Sequence, residues 1–120
     1  MQIHVTAAEA YFYPDVSVSC NADDLAAEQR ATSPLLIVEV SSHSTRRHDR
    51  IEKFNRYKLI AALREYVLIA AERRVTEVFA RGDDGAWMSR VFSGDDAIEF
   101  TCVDFTLSAN ELYFKVAAAR

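Results

Sequence analysis

With 120 residues and half of them apolar, the chain is long enough to build one hydrophobic core and too rich in apolar residues for a disordered segment. A net charge of −4 excludes a surface coated for indiscriminate nucleic-acid binding, but it leaves room for a local basic groove, because distribution decides. No apolar run approaches the length of a membrane span and no basic-then-apolar leader opens the chain, so a cytoplasmic protein without a membrane partner is expected.

Residues 2–5 and 9–13 are short β-prone pieces ahead of Pro14. The stretch Asp15-Val-Ser-Val-Ser-Cys20 then alternates, with Val16, Val18 and Cys20 on one face. Residues 21–33 are polar and read as a loop, with room for a helical turn at Leu25 to Gln29, and Pro34 closes it. Leu35 to Val40 is a nearly unbroken apolar run, the mark of a central strand covered on both faces. Within it, Glu39 shares a side with Ile37, while Leu36, Val38 and Val40 point the other way. A carboxylate at such a position is expensive to bury without a partner or a metal.

A basic helix follows, capped at or near Ser44 and expected to run to about Ala62. Two strands come next, Arg64 to Ala70 and Val75 to Arg81, joined tightly through Glu72 and Arg73. The Gly82-Asp-Asp-Gly85 turn leads into a strand over Ala86 to Phe92, and Ile98 to Cys102 reads as an edge strand. Ser108-Ala-Asn-Glu111 has the capping-box pattern, with Leu107 and Leu112 placed as a hydrophobic staple, so a short C-terminal helix should close the chain. Cys20 and Cys102 lack metal-type spacing and read as reduced strand residues. The order predicts a single α/β (α+β) domain over 1–120, a mixed β-sheet flanked by one long central helix and a short final one.

On the central helix Thr45, Asp49, Lys53 and Tyr57 recur every four residues. Counting from Thr45, Lys53 falls at about 80°, between Ile60 at about 60° and Tyr57 at about 120°, so it projects from the core-facing arc. Two readings are open. Lys53 either forms an i,i+4 pair with Asp49 and snorkels outward, or meets a buried carboxylate or anion. The acids carry a similar choice. Asp15 and Glu39 converge at one end of the sheet if their strands pair, and two hard oxygens plus a main-chain carbonyl suit Mg²⁺. Equally, a Pro-Asp at a strand entry is often a turn residue and a strand Glu is often salt-bridged.

Taken in order, Tyr13-Pro-Asp-Val16, Val38-Glu-Val-Ser41, Ser44-Thr45 with Asp49, Lys53 and Tyr57, and Glu65-Tyr-Val-Leu68 resemble a large bacterial family of restriction-endonuclease-like proteins within the PD-(D/E)XK nuclease superfamily. The resemblance covers roughly residues 11–116. It implies a restriction-endonuclease-like core with Asp15, Glu39 and Lys53 catalytic, Mg²⁺ (or Mn²⁺) held by Asp15, Glu39 and the Val40 carbonyl, and Asp49 and Tyr57 in support. The superfamily lysine usually sits two residues after the acid. Ser41 stands there in this chain, and the resemblance places the lysine on the helix as Lys53. DNA is the implied substrate, with Arg46, Arg47, Arg50 and Arg56 as phosphate contacts or simply a solvated helix face.

His43 and His48 flank the helix start five apart and share no face, Ser41, Ser42 and Ser44 suit turn and cap, and Trp87 suits packing. Family members usually carry a further helix and strands before the segment matching Tyr11 to Val16. A chain without them should expose apolar surface and favour a homodimer. Two other functions are set against the nuclease: an inactive dimeric scaffold with the nuclease fold, and carbohydrate or acyl hydrolysis, in which Lys53 has no clear part.

Overall fold

A computed structural model of the chain describes residues 2–5, 10–12, 16–19, 30–31, 33–41, 47–70 and 73–118. Its framework is a five-stranded sheet. The strands are β3 (Val16–Ser19), β5 (Pro34–Ser41), β6 (Glu65–Ala70), β7 (Val75–Arg81) and β8 (Trp87–Ser93), lying in that spatial order. Within this sheet, among the described residues, only β5 and β6 are parallel, and helix α1 (Arg47–Tyr57) makes the crossover between them, because parallel neighbours need a long connection. The sheet is therefore mixed. A smaller sheet joins β1 (Gln2–Val5) to β2 (Ala10–Phe12) and to β4 (Arg30–Ala31).

Two cores form on opposite faces of the large sheet, as the two-residue period requires. On the α1 face, Ile37 and Tyr66 pack with Tyr57, Ile60 and Leu63, and β1 contributes Ile3 and Val5. On the other, Leu36, Val38, Val67, Ile69 and Val78 pack against Ile98, Phe100 and the C-terminal helix α2 (Ala109–Ala118). The sheet with one helix against each face is the α+β arrangement expected from the element order. At the start of α2 the Ser108 hydroxyl donates to Glu111 at 2.8 Å and accepts the Glu111 N–H at 3.2 Å, and Leu107 and Leu112 join the same core. Between β7 and β8 the turn reverses at Gly85, whose φ of +85° is open to glycine at no steric cost.

Four expectations are corrected. Helix α1 ends at Tyr57, not Ala62, because the chain tightens there: Leu59 and Ile60 donate three residues back, to Arg56 and Tyr57. Carbonyls of the turns that follow are taken by the Arg81 guanidinium, which reaches Lys58 at 2.6 Å, Ala61 at 2.9 Å and Ile60 at 3.3 Å. Burial and the neighbouring Arg64 hold the pKa of Arg81 below the usual guanidinium value. The strand expected over Ile98 to Cys102 stops at Phe100. Thr101–Val103 turns in a 3₁₀ helix, and β9 (Ile98–Phe100) pairs with an unforeseen β10 (Phe105–Leu107) in a separate ladder.

Glu65 is the cause. Its carboxylate is 1% exposed and accepts the Cys102 N–H at 3.0 Å and the Thr101 hydroxyl at 3.2 Å, pulling that segment out of extended conformation. Cys102 accordingly lies in the 3₁₀ turn and not in a strand, its thiol donating to the Leu35 carbonyl at 4.0 Å. Finally, Arg30–Ala31 pairs with β1 inside a stretch read as loop, a tertiary pairing that leaves no alternation in the sequence. The helical turn considered at Leu25 to Gln29, the Ser44 cap and Cys20 lie outside the described residues.

Candidate active site

Glu39 sits near the C-terminal end of β5 and faces α1, and its side chain is only 11% exposed. Two neighbours engage the carboxylate. From β6, the Tyr66 hydroxyl donates to Oε1 at 2.5 Å. From α1, the Lys53 ammonium donates to Oε2 at 2.9 Å. Both are charge-assisted contacts, and Lys53 makes an ion pair whose own side chain remains 40% exposed. The acid faces inward and the lysine opens toward solvent.

Local packing fixes this geometry. Tyr66 is wholly buried, and its ring lies 5.0 Å from Phe54, stacked within 13°, and 5.3 Å from Tyr57. Phe54 also contacts Phe79 at 4.6 Å and the Trp87 ring edge at 5.2 Å, which anchors α1 to the sheet one residue beyond Lys53. Trp87 packs, as its place beside a turn suggested, with Arg81 over its face at 4.7 Å. The crossover helix is thus held by aromatic contacts, and Lys53 is presented to Glu39 by the same turn that carries Phe54 and Tyr57.

The structure brings Glu39, Lys53 and Tyr57 into one neighbourhood. Of the two readings of Lys53, it shows the buried carboxylate as a partner. Val40 follows Glu39 with its side chain exposed on the other side of the strand. Arg56 is exposed and paired with Glu52 at 3.1 Å, so its charge is countered within the helix. Arg47, His48, Asp49 and Arg50 belong to α1, but their side chains are not among the described ones. Asp15, Ser42, His43, Ser44, Thr45 and Arg46 lie outside the described residues altogether. The β3–β5 ladder is described as far as Val16 opposite Val38, one residue short of each acid.

Sequence reasoning missed the role of Tyr66. Its position was visible in Glu65-Tyr-Val-Leu68, but its meeting with Glu39 depends on register. Tyr66 is paired with Ile37, two residues before Glu39 on the same face, and its long side chain spans the diagonal. No periodicity encodes that pairing.

Among the described residues, no group of three or more His, Cys, Asp or Glu is placed to hold a metal ion. The donors that are described, the Glu39 carboxylate and the adjoining main chain, are hard oxygens of the kind Mg²⁺ takes. Each Glu39 oxygen accepts one described hydrogen bond and retains a lone pair. The donor set fits the ion, with one acid in view.

A sequence profile of the Uma2 family, described as "Putative restriction endonuclease", matches residues 1–110. The chain belongs to this family. Two Synechocystis relatives of this Uma2 chain are the uncharacterised proteins slr1290, 30% identical over 94% of the chain, and sll1609, 34% identical over 84%. The chain spans 60% and 59% of their lengths. Its fold is similar to that of a crystal structure from Anabaena variabilis, titled as a putative nuclease belonging to DUF820. The TM-score is 0.69 with 13% identity, over 96% of this chain and 65% of that one. The Uma2 chain therefore has a restriction-endonuclease-like α+β fold. None of its described helices is long and apolar enough to cross a membrane.

Proposed function

We propose that this chain carries the catalytic site of a Mg²⁺-dependent endonuclease that hydrolyses DNA phosphodiester bonds, with Asp15, Glu39 and Lys53 as the catalytic residues. The observation that carries the reading is the 2.9 Å contact between a nearly buried strand carboxylate and a helix lysine that stays open to solvent. Glu39, Asp15 and the Val40 carbonyl would hold Mg²⁺. The described β3–β5 ladder reaches Val16 opposite Val38, the residues adjoining the two acids in sequence. Bound there, Mg²⁺ supplies Lewis acidity, polarising a phosphoryl oxygen and lowering the pKa of a coordinated water.

The chain's own groups do the rest. Tyr66 fixes the orientation of Glu39 through Oε1 and leaves Oε2 toward α1. Lys53 orients the attacking oxygen and offsets the negative charge that grows on the phosphorane-like transition state. Since its ammonium is held by Glu39 from one side and half-exposed on the other, it can face both acid and substrate. Arg46, Arg47 and Arg50, early on or just before α1, are the proposed phosphate contacts, with Arg56 less favoured because Glu52 engages it.

Plasmid nicking tests the proposal. Wild-type protein with Mg²⁺ or Mn²⁺ should nick supercoiled DNA, and Lys53→Ala should lower the rate by about 100-fold or more. Calorimetry should show metal binding that Glu39→Ala abolishes. Wild-type protein that neither binds the metal nor cuts any form of DNA contradicts the reading.

A second reading, a dimeric scaffold with the same fold, is favoured by one feature. Met88 (74% exposed) and Val91 (60%) sit on β8, the last strand of the described sheet order. It predicts a stable dimer in sedimentation that is unaffected by changing Asp15, Glu39 or Lys53.

A further inference from the structure

Beside the Glu39–Lys53 pair, between α1 and the exposed part of the sheet, lies a cavity of about 320 Å³. This is the lower end of the range for small-molecule sites. Its floor is Leu68 and Phe79, and its helix wall is Phe54. Ladder register fixes where it sits. Leu68 is the β6 partner of Glu39, and Glu77 is the β7 partner of Leu68, so acid, floor and far rim form one row across three strands. With neighbouring strands about 4.8 Å apart, the cavity begins roughly one strand away from the Glu39 carboxylate. On the helix side, Phe54 follows Lys53 directly. The cavity thus lies one strand and one helix residue away from the proposed catalytic pair, neither of which lines it.

Three polar groups enter this apolar hollow. Lys58 rests its ammonium 4.5 Å from the Phe54 ring centre. Asn55 and the half-buried Glu77 also line it, and no described side-chain hydrogen bond or ion pair engages either of them. A carboxylate partly removed from water with no partner is costly, and it calls for a donor. It also repels a phosphate. What complements the hollow is a flat, uncharged ring that lies on Leu68 and Phe79 and offers an amino group to Glu77.

We infer that this cavity receives an unpaired, amino-bearing nucleobase of the substrate strand, next to the phosphate handled at Glu39 and Lys53. The inference rests on the nucleic-acid reading of that pair. Apolar and aromatic floors accept the face of any base, which is how unstacked bases are held in other nucleic-acid sites. Glu77 supplies the discrimination, because a carboxylate accepts from the exocyclic amine of cytosine or adenine and repels a keto oxygen. Asn55 adds an amide able to pair with the ring edge.

Cytosine and uracil differ at the group Glu77 would meet, so they make the test. Fluorescence anisotropy in metal-free buffer compares the full chain's affinity for short single-stranded oligodeoxycytidylate and oligodeoxyuridylate. The wild type should prefer cytosine by about tenfold, the scale of one hydrogen bond to a charged group. Glu77→Gln, isosteric and on a strand surface, should erase that preference while total binding persists. Equal affinity for the two probes, or a preference that survives Glu77→Gln, overturns the base pocket and leaves the nuclease reading standing. If neither probe binds, the base pocket is overturned, and the nuclease reading fails with it only when the protein also neither binds Mg²⁺ nor nicks plasmid DNA.

Discussion

Burying Glu39 in β5 removes a carboxylate from water, and groups from two other elements offset that cost. Tyr66 comes from β6 and Lys53 from α1. The two contacts differ in what they can do. Lys53 is half-exposed and open to a substrate, whereas Tyr66 is wholly buried and, on the proposed reading, positions Glu39. Groups that hold a metal-binding side chain typically change metal affinity by ten- to a hundredfold when removed. Tyr66→Phe should therefore raise the Mg²⁺ concentration for half-maximal nicking by about tenfold, with the fold intact by circular dichroism. A purely structural tyrosine would lower Tm and leave the Mg²⁺ dependence where it was.

Between elements, the join that matters most is the one holding α1 to the sheet, since α1 carries Lys53. Its aromatic side is fixed by Phe54, and the turns just past its C-terminus by Arg81, whose guanidinium takes the carbonyls of Lys58, Ile60 and Ala61. Arg81→Gln retains a short polar chain but loses the fork. It should cost roughly 2 kcal/mol, or about 8 °C in Tm, measurable by thermal denaturation, and it should loosen Lys53 relative to Glu39. At the start of β6, Glu65 plays a corresponding structural part by capturing the Thr101–Val103 turn. The two buried acids thus divide the work. Glu65 is closed over by protein donors, while Glu39 is reached by a lysine that solvent can also reach.

Across the whole molecule, what was legible in the sequence follows from periodicity. The unbroken run of β5 announced a central strand, the alternation of Ile37 with Glu39 gave the face of the acid, and the helical wheel turned Lys53 toward that face. The capping pattern at Ser108 marked the start of α2. Features that depend on register or on a distant donor were not legible. The diagonal from Tyr66 to Glu39, the end of α1 under Arg81, the capture of Thr101 by Glu65, and the pairing of β4 with β1 all join residues with no local signal. The identification with restriction-endonuclease-like proteins came instead from the order of several short pieces along the chain, and the Uma2 match over 1–110 agrees with it.

The central claim is that Glu39 and Asp15 share a divalent metal beside Lys53. Crystals soaked in Mn²⁺ and examined for anomalous scattering test it most directly. The account predicts one strong peak in contact with the carboxylates of both Glu39 and Asp15, with the Lys53 ammonium close by. A peak elsewhere with none at Glu39, or a bound ion that Asp15 does not touch, would contradict it.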